Sequence, residues 1–257
     1  MQVTIFGAGN FGTALGQILT ENQHHVNFYD PLKFPTQTLS VSLKSTEVQL
    51  LALPSNQIKN LLPNLNPSLP LISASKGLFS LAPFLNFSNF TVLSGGAFAE
   101  DLKKHLPITL TATSSLATKL LKTDWLTIEQ TSDTLGVMFC GSLKNIYAIG
   151  AGRLNLQPHS SDLHRYLLTA GQEIQDFLHL NHAQVETFQL SCGFADLKLT
   201  CSSSISRNYR FGQNPKLRQG TIEGLSAAHN LLNIPHLKLP PQAKLLKSII
   251  NFIKSLE

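Results

Sequence analysis

The stretch Val3-Thr4-Ile5-Phe6-Gly7-Ala8-Gly9-Asn10-Phe11-Gly12, near the start of the chain, decides the reading of the fold. An apolar, β-branched run ends in glycines spaced G-x-G-x-x-G, and helical spacing follows from Phe11 to Glu21. Each glycine has a physical task in such a strand-to-helix turn. Gly7 permits the tight turn, Gly9 lets backbone approach a pyrophosphate, and Gly12 lets helix and strand pack closely. The helix start then offers N–H groups and a positive dipole end to phosphate. Gly7, Gly9, Asn10, Phe11 and Gly12 are therefore candidate cofactor-binding residues. A second strand candidate ends at Asp30, near the offset where a carboxylate bonds the ribose hydroxyls of a dinucleotide. That charge repels the extra phosphate of NADP and favours NAD, although His24, His25 and Lys33 soften the repulsion. The other reading of Asp30 is a surface residue opening the Asp30-Pro31 turn.

Working outward, the first half alternates short strand-like runs with helical segments. Strand candidates are Val3–Phe6, Val26–Tyr29, Val48–Leu53, Leu69–Ser73, Thr91–Ser94, Ile108–Thr111 and Leu126–Glu129. Helical candidates are Phe11–Glu21, Gln57–Leu65, Ala99–His105 and Ser115–Lys122. This βαβ texture predicts an α/β domain over residues 1–131 with a doubly wound, mostly parallel sheet, because parallel neighbours need crossovers. From residue 132 to 257 strand signals fade. Leu135–Gly150, Asp162–Leu178, Ala183–Gln189, Gly220–Leu232 and the tail from Gln242 carry helical spacing, which predicts a smaller all-helical domain.

The 257 residues are 42% hydrophobic and 14% charged, a globular composition. The net charge of +5 is spread along the chain without a dense basic block, so nucleic acid is not an expected partner. A small anionic substrate suits that charge equally well. Cys140, Cys192 and Cys201 are too few and too unevenly spaced for a disulfide frame or a zinc site. His159, His164, His179 and His182 form no recognisable ligand set, so no metal is expected. With no leader-like or membrane-spanning apolar stretch, the cytoplasm is the expected location.

Further motifs follow in order. Ser75-Lys76-Gly77 and Ser94-Gly95-Gly96-Ala97-Phe98-Ala99-Glu100 lie in the first half. Cys140-Gly141-Ser142-Leu143-Lys144-Asn145 opens the run that ends at Gly152. Gly193-Phe194-Ala195-Asp196-Leu197-Lys198-Leu199-Thr200-Cys201 and Ser206-Arg207-Asn208-Tyr209-Arg210-Phe211-Gly212 complete the set. Taken together and in this order, they resemble the signatures of the NAD(P)-dependent glycerol-3-phosphate dehydrogenase family. The resemblance implies a Rossmann domain, a helical domain and an active site between them. It implies interconversion of dihydroxyacetone phosphate and sn-glycerol 3-phosphate, feeding glycerophospholipid synthesis, with NAD or NADP as cofactor. Matched by motif, it implies catalytic roles for Lys144, Asp196 and Lys76. Substrate contacts fall on Lys76, Asn145, Thr200, Arg207 and Asn208, and cofactor contacts also on Lys76, Ala99 and Arg207.

The residue types suit that chemistry. Hydride transfer to a ketone leaves charge on oxygen, which needs a cation and a proton donor. Lys144 supplies both, Asp196 holds its ammonium, and Lys76 adds positive field. As a base in the reverse direction, Lys144 needs a pKa lowered by burial or by the second lysine. Asp196 and Thr200, four apart, share a face if that segment is helical. Arg207 and Asn208 suit a phosphate, since a guanidinium gives paired hydrogen bonds.

The chain departs from the family pattern at Gly96, where a proline is usual, and at Ala195, where a glycine is usual. Ala170-Gly171 replaces an Arg-Gly pair. The chain is also shorter than usual members, with room for one short crossover between Pro31 and Thr46. Such changes motivate two other readings: a nicotinamide-binding sensor without turnover, or a related reductase of another small keto substrate. A helical second domain with an outer face to bury suggests a homodimer.

Overall fold

The computed structural model describes residues 1–36, 38–39, 43–77, 80–87, 89–217 and 220–256. The chain divides into two compact units. One holds Met1–Ser75 and Leu81–Ser132, the other Lys76–Ser80 and Asp133–Glu257.

The first unit is the α/β domain expected from sequence. Its strands are β1 (Gln2–Phe6), β2 (His25–Tyr29), β3 (Val48–Leu51), β4 (Leu71–Ser73), β5 (Phe90–Ser94), β6 (Ile108–Ala112) and β7 (Leu126–Gln130). They form one sheet in the order β2-β1-β3-β4-β5-β6-β7. Every neighbouring pair is parallel except β5 and β6. Val3, Ile5, Val48, Leu50 and Ile72 are fully buried, as parallel strands covered on both faces require. Helix α1 (Asn10–Glu21) lays Ala14, Leu15, Ile18 and Leu19 into this core. Shorter helices α2 (Ser55–Leu61), α3 (Ala99–Lys103) and α4 (Ser115–Leu121) lie in the connections after β3, β5 and β6. Two polar pairs lie within this unit: Thr4 bonds Thr46 at 2.6 Å, and Gln49 grips the Asn66 peptide groups at 2.8 and 2.9 Å.

Prolines account for three of the differences from the expected boundaries. Pro70 has no N–H for the ladder, and β4 starts at Leu71. The chain leaves β3 before Pro54, after which α2 begins. Pro63 turns the end of the Gln57–Leu65 segment into a 3-10 turn, Leu62–Asn64. The crossover expected over Pro31–Thr46 falls in part on residues 37 and 40–42, outside the described residues.

The second unit is built around α5 (Thr134–Arg153), whose residues are buried from Gly136 to Gly152. A helix apolar on every side must be enclosed. Packed on it are α6 (Ser161–Leu180), α7 (Asp196–Ser202), α8 (Arg207–Gln213), α9 (Glu223–Asn233) and α10 (Lys244–Lys254). Close approach depends on glycine. A Cβ at Gly152 would lie 1.9 Å from the Tyr209 carbonyl oxygen, and one at Gly212 2.0 Å from that of Ile149. Asp133 caps α5 through Gly136 N–H and also takes Gln184 N–H and the Thr187 hydroxyl, at 2.6 to 2.9 Å. The segment expected as a helix over Ala183–Gln189 is a 3-10 turn from Val185.

Candidate functional site

In the first unit, the glycine turn has the shape its sequence requires. Gly7 takes φ +103°, and a Cβ there would meet the Ala52 carbonyl oxygen at 2.7 Å. At Gly12 a Cβ would lie 2.1 Å from the Gly7 carbonyl oxygen, whereas at Gly9 it would meet open space. Gly9 is the N-cap of α1, and no side chain caps this helix. Open backbone at an uncapped helix start fits the pyrophosphate of a dinucleotide. Gly12→Ala is expected to cost about 1–3 kcal/mol of stability and to weaken NADH binding, because helix and turn must separate. Thermal melts with and without NADH measure both, and an unchanged pair of melts would count against this packing role.

Asn10 is exposed at the first turn of α1, while Phe11 and Ala99 rest partly buried against the core of the sheet. The Asp30 carboxylate accepts Ala8 N–H at 2.8 Å and Leu32 N–H at 3.1 Å. Lys33 donates its ammonium to the Ala8 carbonyl. Asp30 and Lys33 therefore brace the glycine turn from both sides of one residue, and the acid also organises the turn that follows it.

In the second unit the polar residues converge. Lys144 is 2% exposed and donates to Asp196 Oδ1, and Asp196 is 1% exposed. Burial pulls the Lys144 ammonium down to about 8. Asp196 opposes that shift, Lys76 adds to it, and Glu223 opposes it more weakly. Thr200 donates to the Asp196 carbonyl oxygen at 2.7 Å and lies 3.2 Å from Oδ1, so both residues do share one helical face. Asp196 Oδ2 is buried without a hydrogen-bond partner, an acceptor whose isolation costs about 1–3 kcal/mol.

Asn145 and Asn208 are joined by one hydrogen bond and held by their neighbours. Asn208 Nδ2 donates to Asn145 Oδ1 at 2.8 Å, and Asn208 Oδ1 accepts Gly224 N–H at 2.9 Å. Asn145 Nδ2 donates to the Gly141 carbonyl at 3.2 Å and reaches Glu223 Oε2 at 3.5 Å. One N–H of Asn208 remains for a ligand, and both of Asn145 are used. Arg207 is exposed at the start of α8, its guanidinium beside Gly220. Lys76 belongs to the second unit, next to the clustered residues in charge if not in sequence.

Glu223 was not singled out by sequence. The available signal was an acid in the first turn of a helix, directly before Gly224, whose Cβ would lie 2.5 Å from the Asn145 carbonyl oxygen. The unusual Ala195 stands where the backbone does not require glycine. Its φ and ψ are −61° and −45°, open to any residue, and the special backbone falls on Gly193 instead. A Cβ at Gly193 would lie 2.1 Å from the Phe188 carbonyl oxygen. Among the described residues no group of three or more His, Cys, Asp or Glu is placed to hold a metal ion, and no helix is long and apolar enough to cross a membrane.

Comparison with known proteins places these motifs. Residues 2–40 match the model of the NAD-dependent glycerol-3-phosphate dehydrogenase N-terminus, and residues 133–250 that of its C-terminus. A glycerol-3-phosphate dehydrogenase [NAD(P)+] of Roseobacter denitrificans is 30% identical over 254 residues, covering 82% of this chain and 79% of the relative. One from Staphylococcus aureus is 28% identical over 91% of this chain and 83% of its own length. The crystal structure of glycerol-3-phosphate dehydrogenase from Coxiella burnetii shares the fold, with TM-score 0.84 and 20% identity, over 100% of this chain and 95% of that one.

Proposed function

The chain belongs to the NAD-dependent glycerol-3-phosphate dehydrogenase family, and from that premise we propose how its own residues interconvert dihydroxyacetone phosphate and sn-glycerol 3-phosphate. The reading rests above all on the buried Lys144–Asp196 pair, with Lys144 held near the pH at which it gives and takes protons.

A reduced nicotinamide, when bound through Gly7, Gly9 and Gly12, supplies a hydride to the ketone carbon. As charge develops on the carbonyl oxygen, the Lys144 ammonium donates its proton there and becomes neutral. Asp196 holds that ammonium, and its unpartnered Oδ2 accepts from a substrate hydroxyl. Lys76 and the exposed Arg207 provide cationic charge for the phosphate, and the remaining Asn208 N–H offers it a further donor. In oxidation the neutral Lys144 amine removes the hydroxyl proton.

The pH dependence follows from the value near 8. Ketone reduction needs the ammonium, so its rate is flat below about pH 8 and falls about tenfold per unit above. Alcohol oxidation needs the free amine and rises to a plateau over the same range. NADH and NADPH absorbance, followed with dihydroxyacetone phosphate and then with glycerol 3-phosphate across pH 6–10, tests both. Cofactor binding without turnover of either substrate would sink the proposed activity.

A further inference from the structure

Lys76 follows the strand β4 and Ser75, yet it groups with the helical unit. Gly77 explains how it is kept there. This residue has φ +85°, and both its polar backbone groups are held by side chains from helices of the second unit. Its N–H donates to Ser142 Oγ of α5 at 3.1 Å. Its carbonyl accepts from Asn230 Nδ2 of α9 at 2.8 Å. Ser142 is fully buried two residues before Lys144, and Asn230 lies seven residues after Glu223. Helix α5, which carries Lys144, and α9, which carries Glu223, therefore also carry the two groups that grip Gly77.

We propose that Ser142 and Asn230 are positioning residues, which fix Lys76 beside Lys144 by clamping Gly77 from two helices. The inference rests on the dehydrogenase reading for its kinetic consequence, but the clamp itself does not. A lysine on the loop after β4 has four rotatable bonds, and its effect on a neighbouring charge falls off with distance. Anchoring both polar groups of the next residue fixes the backbone from which that side chain springs. The groups facing Lys144 are Asp196 and Cys201 from α7, Glu223 from α9, and Lys76 itself. Burial keeps the Cys201 thiol neutral, so Lys76 is the one cation among them, and its displacement moves the Lys144 midpoint upward.

The test is a double-mutant cycle with an independent labelling readout. Ser142→Ala and Asn230→Leu are each made with Lys76 present and in a Lys76→Met background. With Lys76 present, each is expected to lower kcat/KM about tenfold, in line with the cost of misplacing a group. The acid limb of glycerol 3-phosphate oxidation moves to higher pH. In the Lys76→Met background the same substitutions change kcat/KM less than twofold. Ser142→Thr keeps the hydroxyl acceptor and restores the rate. Equal losses in both backgrounds would overturn the proposal. Separately, acetylation of Lys76 by a water-soluble ester, quantified by mass spectrometry, should quicken severalfold in both variants while Lys254 reacts unchanged. Unchanged Lys76 labelling overturns the clamp even in an active enzyme. Faster labelling in a protein without turnover leaves the clamp standing and refutes the dehydrogenase reading instead.

Discussion

Lys144→Met removes turnover of both substrates, by about a thousandfold or more, while NADH affinity stays within about twofold. The two effects separate because the glycine turn lies in the first unit and Lys144 in the second. Proton donation by a positioned group contributes about 10²–10⁴, and loss of the cation at the developing oxyanion adds to it. The same change leaves Asp196 buried beside a thioether, with Thr200 as its remaining polar neighbour. Breaking a buried ion pair from one side costs about 3–5 kcal/mol, so the single variant also melts early. Lys144→Met with Asp196→Leu removes both charges and regains much of that stability, since apolar replacement of a buried pair is often neutral or better. The double variant nevertheless stays inactive. Stopped assays, NADH fluorescence titration and thermal melts on the three proteins read all of this. A double variant that turns over substrate would remove Lys144 from the chemistry.

The first unit was legible because its signals are local. The period changes from strand to helix at Gly7–Gly12, and each later strand is a short apolar run bounded by turn residues. Proline moved several boundaries by a few residues and altered no element of the described sheet. The second unit was legible only in part. Its long helices announced themselves, but the seven-residue helices α7 and α8 went unassigned as elements. A π turn with a non-helical Gly193 interrupts the spacing before α7, and Ser203–Ile205 interrupts it afterwards. Burial of Lys144 was invisible to periodicity, because the lysine follows an apolar helical run, where such a side chain usually snorkels to the surface. Tertiary facts stayed hidden altogether. That Lys76 sits with the helical unit, that Asn208 donates to Asn145, and that Glu223 adjoins Asn145 all depend on contacts made far apart in sequence.

Glu173 carries the second large expected effect, on stability. Helix α10 begins at Lys244 with no side-chain cap of its own from Ala243. The Glu173 carboxylate from α6 takes that place. Oε1 accepts Leu245 N–H at 2.8 Å, while Oε2 accepts Leu246 N–H at 2.8 Å and the Tyr147 hydroxyl at 2.9 Å. One buried acid thus joins α6, α10 and the central α5, its charge favoured by the helix start it faces. Glu173→Ala orphans three donors in the interior, at about 1–3 kcal/mol each before relaxation, so a loss of about 4 kcal/mol is expected. Glu173→Gln keeps one acceptor oxygen and turns an amide N–H toward the donors, for a loss of about 2 kcal/mol. Urea unfolding followed by circular dichroism gives the two midpoints. Activity should fall with them, since Ile249 of α10 packs at Gly150 and Tyr166 of α6 bonds the Tyr147 carbonyl, all on the helix that carries Lys144. An alanine variant within about 0.5 kcal/mol of the parent would mean that water or a shifted chain end satisfies the three donors. The acid would then be no fastener of the C-terminal helix.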